Sequence, residues 1–105
     1  MKAAVLYKYN HPLKIENLTL NGPGTGEVLV KIHSTGVCHS DWHVIKGDWP
    51  HVPLPTILGH ETSGVIEGIG SGVNTLQVGD HVILTWKPGC GRCEMCQRGH
   101  ISVCD

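Results

Sequence analysis

GEVLVKI, residues Gly26–Ile32, is the stretch from which the fold of this 105-residue chain can first be predicted. Val28, Val30 and Ile32 are separated by single residues, and all three are β-branched. This period-two pattern is typical of a strand. The preceding NGPGTG (residues 21–26) is rich in residues that favour turns. We therefore predict a strand that follows directly after a turn.

Three further runs have the same character, and each is bounded by Gly, Asn, Asp or Pro. They are KAAVLYK (2–8), SGVIEGIG (63–70) and GDHVILTW (79–86). Fourteen glycines, six prolines and no phenylalanine indicate many tight turns around a core of Val, Ile and Leu. The sequence thus favours a small, mainly β domain, either a barrel or a sandwich built from hairpins. Trp42 and Trp86 are expected to pack within it, since aromatic residues are normally buried.

Only SDWHVIKG, residues 40–47, has the features of a helix. Ser40 is placed as an N-cap, Asp41 lies in the first turn, and Gly47 is suited to the C-terminal stop. We predict one short helix here.

Composition limits the classes of partner. The formal net charge of -1 gives no basic field to attract nucleic acid or an anionic membrane surface. The start MKAAVLYKYN lacks the apolar run of a signal peptide, and no later stretch has the apolar length of a membrane span. We expect a cytoplasmic protein, in which closely spaced cysteines are more often metal ligands or catalytic thiols than disulfides. Five cysteines and eight histidines indicate metal binding.

Four of the cysteines lie in one segment, residues 88–105, here called the cysteine lobe. Their spacing is C-x2-C-x2-C-x7-C, at Cys90, Cys93, Cys96 and Cys104. Four thiolates fill a tetrahedral zinc ion completely, and such a closed site stabilises structure without doing chemistry. An iron–sulfur cluster and a redox-active thiol pair are the alternatives.

Basic side chains near these thiolates have two interpretations. Lys87, Arg92 and Arg98 either offset the negative charge of the cluster or belong to an ordinary solvated loop.

The fifth cysteine suggests a second site. Cys38 lies in TGVCHSDWHVIKGDW, and His60 and Glu61 lie in LGHETSGVIEGIGSGV. Fewer than four strong ligands are typical of an open, catalytic zinc, which polarises carbonyls and lowers the pKa of bound hydroxyls. The alternative makes Cys38 a small apolar residue, His60 a hydrogen-bonded histidine and Glu61 a surface carboxylate.

The chain resembles the N-terminal GroES-like catalytic domain of zinc-dependent medium-chain alcohol dehydrogenases. The resemblance runs over residues 1–105 and includes GVCHSD, GDWP, the signature GHETSGVIEGIGSGV and the four-cysteine lobe, in the family's order. It implies a mainly β fold: a GroES-like, partly open barrel with a short helix and a structural zinc lobe at residues 88–105.

The resemblance also implies a catalytic zinc. Cys38 and His60 are similar to its ligands, and Glu61 to the nearby carboxylate that joins the metal when substrate is absent. Asp41 would hold His60 in place.

The remaining site residues are implied by the same resemblance. Ser40 is similar to the hydroxyl that accepts the alcohol proton, and His43 to the next member of the relay toward solvent. His39 would contact the pyrophosphate of the cofactor, and Trp49 would line a small substrate pocket, as in ethanol-type enzymes.

Family members carry parts that this sequence does not match. They continue into a Rossmann domain that binds NAD or NADP, and they supply one more zinc ligand, usually a Cys, beyond the residues of this sequence. GIGSGV, residues 68–73, lacks the spacing and the βαβ unit of a dinucleotide fingerprint and is read as a turn. We therefore expect a portion of a dehydrogenase that transfers no hydride by itself, and that exposes strand edges which favour self-association.

Three functions remain open from the sequence. The first is the catalytic portion of an NAD-dependent zinc alcohol dehydrogenase acting on small primary alcohols or the corresponding aldehydes, homo-oligomeric in its family context. The second is a stand-alone zinc-binding structural or interaction module. The third is a related reductase or polyol dehydrogenase, against which Trp49 and the complete cysteine lobe argue.

Overall fold

The computed structural model describes residues 1–86 and 88–104. Lys87, one of the basic residues expected near the thiolates, and Asp105, the last residue of the cysteine lobe, lie outside the described residues. The elements in chain order are β1 (Lys2–Leu6), β2 (Lys14–Asn17), β3 (Val28–Thr35), α1 (His39–Lys46), β4 (Thr56–Ile57), β5 (Thr62–Ile69), β6 (His81–Leu84), α2 (Glu94–Gln97) and a 3-10 turn (Ile101–Val103).

The strands form two three-stranded sheets in the described part of the chain. Their strand orders are β2-β1-β4 and β3-β5-β6, and every pairing is antiparallel. The mainly β architecture with open sheets is confirmed. All four predicted strands are present, and β3 begins at Val28, directly after the predicted turn.

Two strands and the short helical turns of the cysteine lobe were not predicted. β2 has four residues and β4 only two, too few for a period-two pattern to stand out. The prediction of a single helix was wrong, because α2 and the 3-10 turn form within the lobe.

The expected helix forms, but it begins earlier than the sequence suggested. Ser40 is not the N-cap; that position is Cys38, whose thiol accepts from the Ser40 backbone N–H at 3.3 Å. The Asp41 carboxylate accepts in return from the Cys38 N–H at 3.0 Å. Asp41 is in the first turn, and Gly47 ends the helix with a φ of 83°, both as predicted.

The buried core is small. Among residues 1–86 and 88–104 its apolar members are Val5, Leu6, Val44, Ile66 and Cys104, of which only Leu6 and Ile66 are almost wholly enclosed. Large apolar side chains remain exposed, as expected for strands at open sheet edges, and Ile83 on β6 is 86% exposed. No helix among the described residues is long and apolar enough to cross a membrane.

Trp42 and Trp86 do not pack in the interior. Their exposed fractions are 51% and 62%, respectively. The expectation that both are buried packing residues was wrong, because the core is too small to enclose them.

Candidate metal centres

The four thiols of the cysteine lobe converge on one point. The sulfur atoms of Cys90, Cys93, Cys96 and Cys104 all lie within 4.8 Å of one another. Two of the separations are 4.0 Å, between Cys90 and Cys96, and 3.9 Å, between Cys93 and Cys104. A tetrahedral zinc with ligands at about 2.3 Å requires sulfur atoms about 3.8 Å apart. The cluster therefore fits such an ion in both ligand type and spacing.

Local backbone structure gathers these thiols. The Cys93 thiol caps α2 by accepting from the Cys96 N–H at 3.4 Å, and the Cys90 thiol accepts from the Cys93 N–H at 3.3 Å. The Cys104 thiol accepts from the Cys90 N–H at 3.3 Å. Gly91 turns the chain with a φ of 72°, a conformation that other residues rarely adopt. The short helix and the turns thus bring ligands from both ends of the lobe together.

The thiols are not equally acidic. Backbone N–H groups of Arg92 and Cys93 lower the pKa of the Cys90 thiol. At Cys96 the backbone N–H of Gly91 also lowers the pKa, but burial and the neighbouring thiols of the cluster outweigh it and raise the pKa to about 11. Four sulfurs this close cannot all ionise without a cation among them. A divalent ion would supply that charge.

The two described arginines near the thiols, Arg92 and Arg98, make different contacts. Arg98 pairs with Glu94 at 2.7 Å, one helical turn away. Arg92 acts on Cys90 through its backbone N–H. For Arg98 the solvated-loop interpretation is therefore the better one.

A second group of potential ligands lies at the start of α1. Cys38, Asp41 and His60 bring one ligand atom each within 4.8 Å of the other two. The Cys38 sulfur lies 3.4 Å from Nε2 of His60, and Nδ1 of His60 lies 3.5 Å from Oδ1 of Asp41. Sulfur and imidazole nitrogen suit zinc, and a carboxylate on the other ring nitrogen is the usual partner of a metal-binding histidine. The residues present fit a zinc ion held by Cys38 and His60 and open to further ligands.

Two elements hold this group. Cys38 and Asp41 are locked together by the N-terminal capping bonds of α1. His60 lies two residues before β5, after Gly59, whose φ of 114° turns the chain into the strand. Asp41 is buried, with its side chain only 7% exposed, whereas the His60 side chain is 25% exposed. The buried carboxylate can therefore fix the ring while its other edge faces the Cys38 sulfur.

A pocket of about 180 Å³ adjoins His60. Its lining includes Ser40, Trp49 and Trp86. The Trp86 ring lies 4.9 Å from that of His60 and 5.8 Å from that of Trp49, measured between centroids. The sequence reasoning did not identify Trp86 as a site residue. Trp86 lies just beyond the end of β6, which pairs with β5, and β5 begins two residues after His60. The position of Trp86 at the end of a predicted strand was the available signal.

Glu61 points elsewhere. It is not one of the three clustered groups, and its carboxylate lies against Gly36, where an added Cβ would overlap the Oε2 atom. Glu61 lines a separate, larger pocket of about 680 Å³ that also includes His60 and Trp86.

His39 and His43 lie on α1. Their ring centroids are 4.8 Å apart, and the His43 ring stacks on Trp49 at 5.4 Å. Nδ1 of His43 is 2.7 Å from Oδ2 of Asp48, a partner that the sequence reasoning did not single out.

Known proteins are similar to this chain in sequence and in fold. Residues 24–105 match the family model described as the alcohol dehydrogenase GroES-like domain. The NDMA-dependent alcohol dehydrogenase of Amycolatopsis methanolica is 48% identical over 105 residues, covering 99% of this chain and 28% of the relative. The S-(hydroxymethyl)glutathione dehydrogenase of Candida maltosa is 45% identical over 103 residues, covering 98% of this chain and 27% of the relative.

A solved structure gives the same result. The crystal structure of benzyl alcohol dehydrogenase from Acinetobacter calcoaceticus superposes with a TM-score of 0.89 at 44% identity, covering 99% of this chain and 28% of that one. The chain thus spans between a quarter and a third of the length of the proteins it matches. Agreement in sequence, in fold and in the clustered cysteines shows that this chain belongs to the alcohol dehydrogenase GroES-like domain family.

Proposed function

We propose that this chain is the N-terminal catalytic portion of a zinc-dependent alcohol dehydrogenase that oxidises small primary alcohols to aldehydes with NAD. The observation that carries the proposal is the approach of the Cys38 sulfur to Nε2 of His60, at 3.4 Å, beside a pocket that contains Ser40. The names of the relatives support the reaction class, and the pocket supports the size of substrate.

The metal and the side chains have different roles in the proposed reaction. A zinc ion bound by Cys38 and His60 would supply Lewis acidity toward an alcohol oxygen. Asp41 keeps the His60 ring in one orientation through Nδ1. The Ser40 hydroxyl, in the wall of the pocket, accepts the alcohol proton, and His43 takes it onward.

The pocket limits what reaches this position. Its volume of about 180 Å³ is below the range of typical drug-sized ligand sites, and Trp49 and Trp86 are its largest lining side chains. A short primary alcohol fits this space better than a bulky one. Two relatives are named for S-(hydroxymethyl)glutathione and benzyl alcohol. We infer a short primary alcohol for this chain, because two indole rings line the pocket beside His60.

Other parts of the proposal concern the cofactor and the assembly. We infer that His39 contacts the pyrophosphate of NAD and that Glu61, whose carboxylate lies against Gly36 in this structure, leaves that contact to approach the metal when substrate is absent. Because the chain covers only 28% of the relative from Amycolatopsis methanolica, we expect the nicotinamide site outside these residues and no turnover by the 105-residue chain alone. We also propose that the full-length protein forms a homo-oligomer and is located in the cytoplasm.

The test combines metal content with turnover. Zinc per chain is measured by elemental analysis in the 105-residue chain, and ethanol oxidation with NAD is measured in the full-length gene product that carries these residues. We expect Cys38→Ser to lower the zinc content by one ion and to abolish oxidation. His81→Gln, which changes an exposed histidine outside both clusters, serves as the matched control and leaves both quantities unchanged.

Two results would count against the proposal. Unchanged ethanol oxidation in Cys38→Ser would remove Cys38 from the reaction. One zinc per chain before and after the substitution, with no oxidation by the full-length protein, would favour the second candidate. That candidate is a zinc-binding structural module, which the complete set of four thiols in the cysteine lobe supports.

A further inference from the structure

The Asp48 carboxylate contacts two nitrogen-bearing side chains through one oxygen. Its Oδ2 atom lies 2.7 Å from Nδ1 of His43 and 2.7 Å from Nζ of Lys46. The hydrogen bond from Lys46, followed by that from His43, lowers the pKa of the Asp48 carboxyl. The carboxylate is therefore ionised near neutral pH and can only accept hydrogen bonds. The nitrogen that faces it, Nδ1 of His43, must then carry a proton.

The backbone fixes Asp48 behind His43. At the end of α1 the Gly47 N–H donates to the Val44 carbonyl at 3.0 Å, and the Asp48 N–H donates to the His43 carbonyl at 2.9 Å. These bonds require the left-handed conformation of Gly47. The aspartate and the histidine are thereby joined twice, once through the backbone and once through the side chains.

The loop after β1 also holds this end of the helix. The Asn10 N–H donates to the Ile45 carbonyl at 2.7 Å, and its amide Nδ2 donates to the Lys46 carbonyl at 3.1 Å. The Tyr9 ring packs so closely that a Cβ at Gly47 would lie 3.0 Å from it. The turn that carries Asp48 is thus braced by another element.

The faces of the His43 ring are occupied as well. Trp49 stacks on it with an interplanar angle of 18°, and His39 meets it edge to face at 66°. With Nδ1 tied to Asp48, the nitrogen that remains to accept a proton is Nε2.

We propose that Asp48 is a positioning residue for His43, holding the imidazole proton on Nδ1 so that Nε2 receives the proton released from the alcohol. The catalytic meaning of this inference rests on the proposed function, whereas the tautomer can be measured without any turnover. One proton arrives at Nε2, and the resulting imidazolium returns a proton to solvent, so no further reactant is needed.

The tautomer is tested first, by nitrogen NMR of His43 in the chain itself. We expect the Nδ1–H form in the wild type and a shift of roughly tenfold toward the Nε2–H form in Asp48→Ala, since a charge-assisted hydrogen bond is lost. Asp48→Asn is the second variant, because it keeps the size of the side chain while it removes the charge and replaces one acceptor oxygen by an NH2 donor. Lys46→Gln removes the other donor to the same oxygen and should leave the tautomer unchanged.

Turnover is tested second, in the full-length protein. We expect Asp48→Ala to lower kcat for alcohol oxidation about tenfold, less than the loss of a general base itself, with little change in KM. A tautomer that does not change in Asp48→Ala and Asp48→Asn would overturn the inference. If Asp48→Ala changes the His43 tautomer but not kcat, the proposed effect of Asp48 on proton transfer is overturned. Failure of the proposed function is recognised separately, by full activity in Cys38→Ser.

Discussion

At the scale of single residues, each sulfur in the cysteine lobe experiences a different set of backbone N–H groups and neighbouring thiols. The pKa of Cys90 is lowered from its ordinary value, chiefly by the Arg92 N–H, and that of Cys96 is raised to about 11. We predict that the thiols of the metal-free protein ionise over a broad pH range, with one group titrating near 11. Thiolate absorbance in the ultraviolet measures this titration.

The raised pKa of Cys96 also affects stability, and the sign can be worked out. An unfolded cysteine ionises near pH 8.5, whereas Cys96 in the folded metal-free protein keeps its proton until about pH 11. The unfolded chain therefore binds fewer protons in this window, and stability falls as pH rises through it. Cys96→Ser should remove the highest titration step. A single step near pH 8.5 for all thiols would contradict the prediction.

The residue types in the sequence predicted the ligands of the two metal centres better than they predicted the contacts of the neighbouring side chains. The spacing of four cysteines is local, so the cluster could be predicted from the sequence alone. Cys38 and His60 are 22 positions apart, so the residue types alone left a zinc site and separate structural roles both open, and the resemblance favoured the zinc site. The contact between His43 and Asp48 depends on the left-handed turn at Gly47, which a residue pattern does not reveal.

At the scale of elements, Gly64 allows the three strands of the second sheet to pair. It lies on the central strand β5, opposite Ile32 of β3 and Val82 of β6. A Cβ at this position would overlap the Lys31 carbonyl oxygen and lie 2.7 Å from Cγ1 of Val30. The backbone of β3 cannot move away without losing hydrogen bonds to β5. The absence of a side chain at Gly64 is therefore required by the pairing.

We predict that Gly64→Ala lowers the free energy of unfolding by about 2 kcal/mol, the usual cost of overpacking. Gly22→Ala is the matched control, because no atom lies within 4 Å of the Cβ position there, and it should change stability by less than about 0.5 kcal/mol. Urea unfolding followed by circular dichroism gives both values. Equal stability of the two variants would show that β3 moves aside at little cost.

Element types were predicted where the pattern was long. β3 and β5 have eight residues each, and both contain the alternation that indicated them. The start of α1 was misplaced by two residues because the N-cap is a cysteine, which is not a preferred N-cap type. The Cys38 thiol accepts at the N-cap, and the Asp41 carboxylate in turn accepts a hydrogen bond from the Cys38 backbone N–H.

At the scale of the whole molecule, the cysteine lobe has little to hold it besides its thiols. Cys104 is its one buried residue among those described, and α2 and the 3-10 turn have four and three residues. Helices this short are not stable alone in water. The two sheets, by contrast, are held by backbone pairing and by the buried Leu6 and Ile66. The metal is thus expected to stabilise the lobe more than the sheets.

We predict that a zinc chelator removes amide-exchange protection from the cysteine lobe and leaves that of β3 and β5 largely intact. Hydrogen exchange followed by NMR resolves the two regions. Cys38→Ser, which changes only the other centre, should keep a protected lobe until the chelator is added. Loss of protection in both regions at the same chelator concentration would show that the lobe and the sheets unfold as one unit.

The second sheet leaves an apolar edge strand exposed. β6 pairs only with β5 among the described strands, and Ile83 is 86% exposed. Trp86, just beyond the strand, is 62% exposed. A free edge with apolar side chains favours pairing with another chain. We therefore predict that the 105-residue chain self-associates at micromolar concentration and that Ile83→Lys shifts it toward monomer, since a charge on an edge strand opposes pairing.

Sedimentation velocity over a range of concentrations tests this association. Ile15→Lys is the matched control, because Ile15 is also an exposed isoleucine, at 70%, but lies on β2 in the other sheet. If β6 is the contact, Ile83→Lys lowers the association constant and Ile15→Lys does not. Equal effects of the two substitutions would assign the association to general apolar exposure, and a monomeric wild type would contradict the prediction altogether. The three outcomes therefore distinguish association through β6, association through exposed apolar side chains in general, and a monomeric chain.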